Sequence, residues 1–256
     1  MNSANPFNLD GHTVLITGAS SGIGRAVAIQ ASLLGARCAI TGRNGEHLQE
    51  TLHSMHGSAH CLIQAELSED SIENIVPQAV LKLGKFSGFV HCAGIEKTLP
   101  FRSTTLEDFR LIMWINVEAF VLLAQQLLMP ANRISHGFSA VGISSVAGLY
   151  GAAAETAYSA SKGALVSLIK SLACEYAPKK IRFNCLCPGY VNTPMLEGVQ
   201  SLYRDKEAFK QAIVARHPLG LGNTEDIANA AAYLLSDASQ WMTGSVVQID
   251  GGYGVN

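Results

Sequence analysis

The chain has 256 residues, 48% of them hydrophobic and 15% charged, enough for one large core and incompatible with a disordered chain. Its formal net charge is -2, from 18 Lys plus Arg against 20 Asp plus Glu, with no basic stripe, which argues against a nucleic-acid partner. No run of 18 apolar residues occurs, and Gln125 and Gln126 interrupt the most apolar segment, residues 119–130, so no membrane span is expected.

The first ten residues lack a basic region followed by an apolar core, so no secretory signal is expected. The six cysteines are then free thiols in a reducing, cytoplasmic setting.

Residues 13–17 make a short apolar strand with glycines directly after it, and Gly35 closes a helical run at 26–34. Further strands are expected at 37–41, 61–65, 89–92, 138–143, 181–186 and 246–249, with helices at 44–56, 71–83, 104–128, 156–176 and 224–235 between them. Thr104 and Glu107 have the spacing of a capping box at the start of the long helix. Asn223 caps the last helix. Residues 193–218, with charges at Arg204, Asp205, Lys206 and Glu207, read as irregular or weakly helical, with the texture of a lid. The strand at 181–186 is expected to hold Cys185 and Cys187 on opposite faces, which argues against a shared metal ion; no metal site is expected.

Short, continuously apolar strands that alternate with helices indicate a parallel sheet covered on both faces. No repeat, low-complexity tract or linker interrupts residues 1–256. The expectation is one α/β domain with a doubly wound, Rossmann-type fold: a mostly parallel seven-stranded sheet with helices on both faces.

Gly18, Ser20, Ser21, Gly22, Ile23 and Gly24 lie between the first strand and first helix, where glycines let the backbone approach an anion and the helix supplies unpaired N–H groups. Three residues separate Gly18 from Gly22 and no Lys-Ser or Lys-Thr pair follows, so this is neither Gly-x-Gly-x-x-Gly nor a P-loop. The second strand ends in Thr41-Gly42-Arg43-Asn44. A carboxylate there would hold the ribose hydroxyls of NAD. Its absence, with Arg43 able to pair with a 2′-phosphate, points to NADP(H), with NAD(H) possible.

Tyr158 and Lys162, four residues apart at the start of a helix, share one face. An ammonium beside a phenol favours the phenolate and brings its pKa down from about 10, which would make Tyr158 a usable proton donor or acceptor. Ser145 follows the fifth strand, on the side where such sheets form a ligand crevice, and can donate to a substrate oxygen. Asn116 lies within the long helix, where asparagine is a mediocre helix former and is most often solvated.

Together these segments resemble the short-chain dehydrogenase/reductase family, of its classical type, over residues 9–252. Ser145, Tyr158 and Lys162 match its catalytic residues at offsets of thirteen and four, and Asn116 its fourth, thought to hold a proton-relay water. The resemblance implies that Lys162 also holds the cofactor ribose, that Glu66, Leu67, Cys92, Ala93 and Gly94 line the adenosine, and that Pro188, Gly189, Val191 and Thr193 close over the nicotinamide. Gly42 fills the position of the family's NAD-selecting aspartate, and Ser21 stands where a second basic residue often precedes Gly22. His91-Cys92-Ala93-Gly94 replaces the usual Asn-Asn-Ala-Gly, and Glu66 the usual aspartate.

The resemblance implies a hydride transfer between nicotinamide and a small-molecule carbonyl or secondary alcohol. A 3-oxoacyl-thioester is the default substrate, and a sugar, polyol or steroid alcohol the alternative. A non-catalytic nucleotide-binding protein is the reading from a different class. Glu96, Val146, Ala147, Leu149, Tyr150, Glu155, Tyr190, Met195 and the rest of 195–215 are the expected substrate walls. Glu96 and Glu155 would suit hydroxyl groups, or are ordinary surface carboxylates. A homo-oligomer, tetramer or dimer, is expected through helices 104–128 and 156–176.

Overall fold

The computed structural model describes residues 5–135 and 137–255. Seven strands form among them: β1 (Thr13–Thr17), β2 (Arg37–Gly42), β3 (Cys61–Gln64), β4 (Gly88–His91), β5 (Ser139–Ile143), β6 (Arg182–Pro188) and β7 (Val246–Ile249). They lie in the order β3-β2-β1-β4-β5-β6-β7, and every neighbouring pair is parallel. The connecting helices are α1 (Gly22–Leu33), α2 (Gly45–Ser54), α3 (Glu69–Ile72), α4 (Ile75–Leu83), α5 (Leu106–Met113), α6 (Ala119–Leu128), α7 (Ala147–Tyr150), α8 (Thr156–Tyr176), α9 (Pro194–Ser201), α10 (Lys206–Ala215) and α11 (Thr224–Leu235).

Alternate strand residues face opposite layers. Leu15, Phe89, Ala140 and Phe183 join Val76, Phe120, Leu123, Leu165 and Ile169 from α4, α6 and α8. Val14, Ile16, Val90, Val141 and Leu186 join Val27, Ala31, Ile227 and Ala231 from α1 and α11. Both faces are dry, so the strands read as unbroken apolar runs rather than alternating ones. The doubly wound, seven-stranded sheet covered on both sides is the expected fold.

Several local expectations need correction. The helix expected at 104–128 is three segments: α5, a π-helical turn at Trp114–Glu118, and α6. Its capping box is Thr105 with Asp108, not Thr104 with Glu107, because Thr104 is held by a preceding 3-10 turn, its N–H donating to the Phe101 carbonyl. The run Leu106–Leu128 also has the length and hydropathy of a membrane span, 23 residues at 1.7; here Ile112, Phe120, Leu123 and Leu127 are buried within the protein. Residues 193–218 hold two helices, α9 and α10, started by the side chains of Thr193 and Asp205. Cys185 and Cys187 share one face, as residues two apart on a strand must, and pack in the same layer.

Phe120 is fully buried and stacks on Phe89 with ring centroids 5.4 Å apart. Phe120→Ala is expected to destabilise the protein by about 3–5 kcal/mol, read from urea unfolding; a loss under about 1 kcal/mol would show that this layer repacks freely.

Candidate active site

The strand order reverses between β1 and β4, so the chain leaves their C-terminal ends toward opposite faces and opens a crevice. The crevice encloses about 320 Å³, the size of a small-molecule site. It is lined by Gly18, Ser20, Ser21, Gly22, Ile23 and Gly24 after β1, Arg43 after β2, Glu66 and Leu67 after β3, Cys92, Ala93 and Gly94 after β4, and Thr193.

A second cavity of about 140 Å³ shares Ile23, Cys92, Gly94, Thr193 and Met195 with the first. Glu96, Ser145, Val146, Ala147, Glu155, Tyr158, Lys162, Pro188, Gly189, Tyr190 and Val191 also line it. Tyr150 does not: the last residue of α7, it is half exposed, and its hydroxyl accepts from Gln248 Nε2 at 2.5 Å. Leu149 packs against the core instead. Leu196 and Val199, from the expected 195–215 wall, also line the second cavity, whereas sequence reasoning missed Ala152 and Tyr253. The signal for Tyr253 was the preceding Asp250-Gly251-Gly252. Both glycines have positive φ, 58° and 91°, and turn the chain back over the cavity rather than merely ending β7.

The first crevice fits a dinucleotide. Gly18 has φ 66°, and a Cβ there would lie 2.7 Å from the Ala93 nitrogen; a Cβ on Gly24 would lie 2.3 Å from the Gly18 carbonyl oxygen. Only glycine permits this approach. The first turn of α1 has no side-chain cap and no acidic residue, so its free N–H groups and positive dipole end suit a phosphate. At the β2 end no carboxylate is present, and Arg43 is exposed without an ion pair among the described residues. Thr41 Oγ1 beside it is buried without a hydrogen-bond partner. On the adenosine side, the Leu67 carbonyl accepts from Trp114 Nε1 at 2.5 Å, which leaves the Leu67 N–H as the main-chain group for a ligand.

His91 replaces an asparagine, and its bonds can be oriented. Burial pushes its pKa down from 6.5 to about 3, so the ring is neutral. Its Nε2 lies 3.1 Å from the Ile115 carbonyl, which can only accept, so Nε2 carries the proton. Nδ1 therefore accepts from the Thr17 hydroxyl at 3.0 Å, and Thr17 Oγ1 accepts in turn from the Ala93 N–H at 3.1 Å. One ring thus ties β1 and the loop after β4 to the π-helical turn.

That turn carries Asn116, which is fully buried rather than solvated. Its Oδ1 accepts from the Ile95 N–H at 2.9 Å, while Nδ2 donates to the Ile95 carbonyl at 3.0 Å and to Ser161 Oγ at 2.9 Å. Both amide hydrogens are used, so the side chain acts as a clamp between the loop after β4 and α8. One lone pair of Oδ1 remains to accept from a water.

Tyr158 and Lys162 lie on the first turns of α8, with Nζ 5.5 Å from the ring centroid. Lys162 is buried, donates from Nζ to the Ile143 carbonyl at 2.8 Å, and has its pKa lowered to about 8 by burial. The Tyr158 hydroxyl is raised above 10, first by burial. The nearby Ser145 hydroxyl opposes the rise, and Glu155 and Glu96 add to it. The expectation that Lys162 would acidify the phenol is not met in this state: desolvation outweighs any attraction, and Nζ is directed at a carbonyl.

A sequence model described as enoyl-(acyl carrier protein) reductase matches residues 18–254. A tropinone reductase homolog of Arabidopsis thaliana is 34% identical over 98% of this chain and 95% of its own length. The 3-oxoacyl-[acyl-carrier-protein] reductase of Thermotoga maritima is 32% identical over 96% and 99%. The crystal structure of a short-chain type dehydrogenase/reductase from Mycobacterium marinum superposes with a TM-score of 0.88 at 31% identity, covering 98% of this chain and 99% of that one.

Because the folded pKa of His91 lies below its unfolded value of 6.5, the unfolded chain takes up the proton first as pH falls. His91 therefore costs no stability above pH 6.5 and progressively more from there toward about pH 3. Between pH 7 and 5 this amounts to roughly 2 kcal/mol. His91→Asn is expected to remove that portion of the pH dependence in urea unfolding; an unchanged slope would mean that the ring is not held neutral.

Proposed function

The chain belongs to the short-chain dehydrogenase/reductase family, and on that premise we propose that it is an NADP(H)-preferring oxidoreductase in which Tyr158 exchanges the proton that accompanies hydride transfer. One observation carries this reading: Tyr158 and Ser145 together line a cavity that shares its wall with the glycine-lined crevice. A bound nicotinamide would supply or accept the hydride, which no side chain can do.

The residues of this chain would do the rest. Ser145 and Tyr158 would hold the substrate oxygen, and Tyr158 would donate its proton as negative charge develops there. The raised pKa of Tyr158 keeps the phenol protonated at neutral pH, the form required for reduction. Lys162, poised near 8, would supply positive charge beneath that oxygen and a donor for a ribose hydroxyl. Asn116 would keep the loop after β4 against α8, and its remaining lone pair would anchor a water in the return path of the proton.

Arg43 at the end of β2, with no carboxylate beside it, favours a cofactor bearing a 2′-phosphate. A 3-oxoacyl thioester is the default substrate, on the likeness to the Thermotoga relative. Two carboxylates in the wall of the second cavity, Glu96 and Glu155, favour instead a substrate with hydrogen-bond donors.

A carbonyl and alcohol panel followed by nicotinamide absorbance is expected to give a higher kcat/KM with NADPH than with NADH. Arg43→Ala should lose most of that preference; equal efficiency in the parent protein would overturn the NADP assignment. Tyr158→Phe should still bind the cofactor and turn over at least ~100-fold more slowly. Undiminished turnover would remove the phenol from the mechanism.

A further inference from the structure

Glu155 is nine-tenths buried, lines the second cavity, and has no hydrogen bond or ion pair to its carboxylate among the described residues. It occupies the N-cap position of α8 but makes no capping bond. The residue before it, Ala154, has φ 63°, a left-handed conformation that costs an alanine about 1–2 kcal/mol. The Ala154 carbonyl accepts from the Leu99 N–H at 2.7 Å, which ties this turn to the loop that carries Glu96. Glu96 lines the same cavity, and its Oε1 accepts from the Thr98 hydroxyl at 2.5 Å.

With no protein partner, the Glu155 carboxylate faces only what fills the cavity, which disfavours its charged form, and a second acid nearby does so further. Burial and then Glu96 raise the Glu155 pKa to about 7, and burial raises Glu96 as well. Among the described residues the one basic side chain in the cavity wall is Lys162, and its Nζ already serves the Ile143 carbonyl. Tyr190 and Tyr253 also line this wall, and the Tyr253 ring already carries the Arg216 guanidinium, 4.0 Å from its centroid. The charge missing from this cavity is positive.

We propose that Glu155, assisted by Glu96, is a cation subsite, and that the substrate is a ketone or secondary alcohol carrying a protonated amine. An arriving ammonium would give Glu155 its missing partner, and the carboxylic acid fraction would release its proton to solvent. An anionic substrate would meet two acids and no free base. The inference rests on the oxidoreductase reading above for the carbonyl, and on the cavity alone for the amine.

The test compares isosteres at pH 7: 5-(dimethylamino)pentan-2-one, which is cationic, and 6-methylheptan-2-one, which is neutral. With NADPH, kcat/KM is expected to favour the amine by at least ~10-fold, mainly through KM. That ratio should fall toward one in Glu155→Gln and by a smaller factor in Glu96→Gln. Because each variant is judged by its own ratio, a general loss of activity does not imitate the result. Binding of the corresponding alcohols, 5-(dimethylamino)pentan-2-ol and 6-methylheptan-2-ol, measured by calorimetry, reads the subsite without turnover. Tighter binding of the amine, lost in Glu155→Gln, supports the subsite even if neither ketone is reduced, in which case the oxidoreductase reading fails for this class. Equal Kd values, or tighter binding of the neutral alcohol, overturn the subsite and leave the oxidoreductase reading standing.

Discussion

A chain of buried hydrogen bonds across the open end of the sheet holds the crevice in shape. It runs from the Ala93 N–H through Thr17 and the His91 ring to the Ile115 carbonyl. Beside it, Asn116 clamps both main-chain groups of Ile95 and reaches Ser161 on α8. In a dry interior each of these groups would be costly if unpaired. The loop after β4 therefore has one position open to it, and with it the wall shared by the two cavities. A Cβ built on Gly94 would lie 3.3 Å from both Asn116 Oδ1 and Lys162 Nζ. A glycine, the clamp and the lysine thus meet at one point.

Desolvation dominates the electrostatics around that point. It is the leading cause of the shifts at His91, Tyr158, Lys162 and Glu155. It keeps His91 neutral and Tyr158 protonated, and it brings Lys162 and Glu155 near neutrality from opposite directions. Groups with large desolvation shifts and a shared cavity are the ones whose protonation a ligand can change most. The lysine and the two acids, which favour ligand groups of opposite charge, line the same cavity.

The departures from the family pattern follow from packing. His91 does the work of an asparagine because its two ring nitrogens can donate and accept in opposite directions. The π-helical turn at Trp114–Glu118 is where Asn116 leaves helix geometry to face inward, and such turns often mark functional sites. Tyr150 leaves the cavity for Gln248, while Tyr253 enters it from the C-terminal turn.

The alternation of short apolar strands with helices, the glycines after β1, and the spacing of Ser145, Tyr158 and Lys162 were all legible in the amino-acid order. These are local properties: a sheet dry on both faces needs continuous apolar strands, a tight anion loop needs glycine, and four residues on a helix define one face. The helices at 156–176 and 224–235 and the strand at 246–249 accordingly have the expected bounds. Other features depend on partners distant in sequence. Tertiary contacts alone set the proton position on His91 against a carbonyl 24 residues away and the committed amide of Asn116. They also set the direction of the Tyr158 shift and the unpartnered carboxylate of Glu155. Burial and pairing belong to the assembled interior, where desolvation is decided by everything that packs around a group.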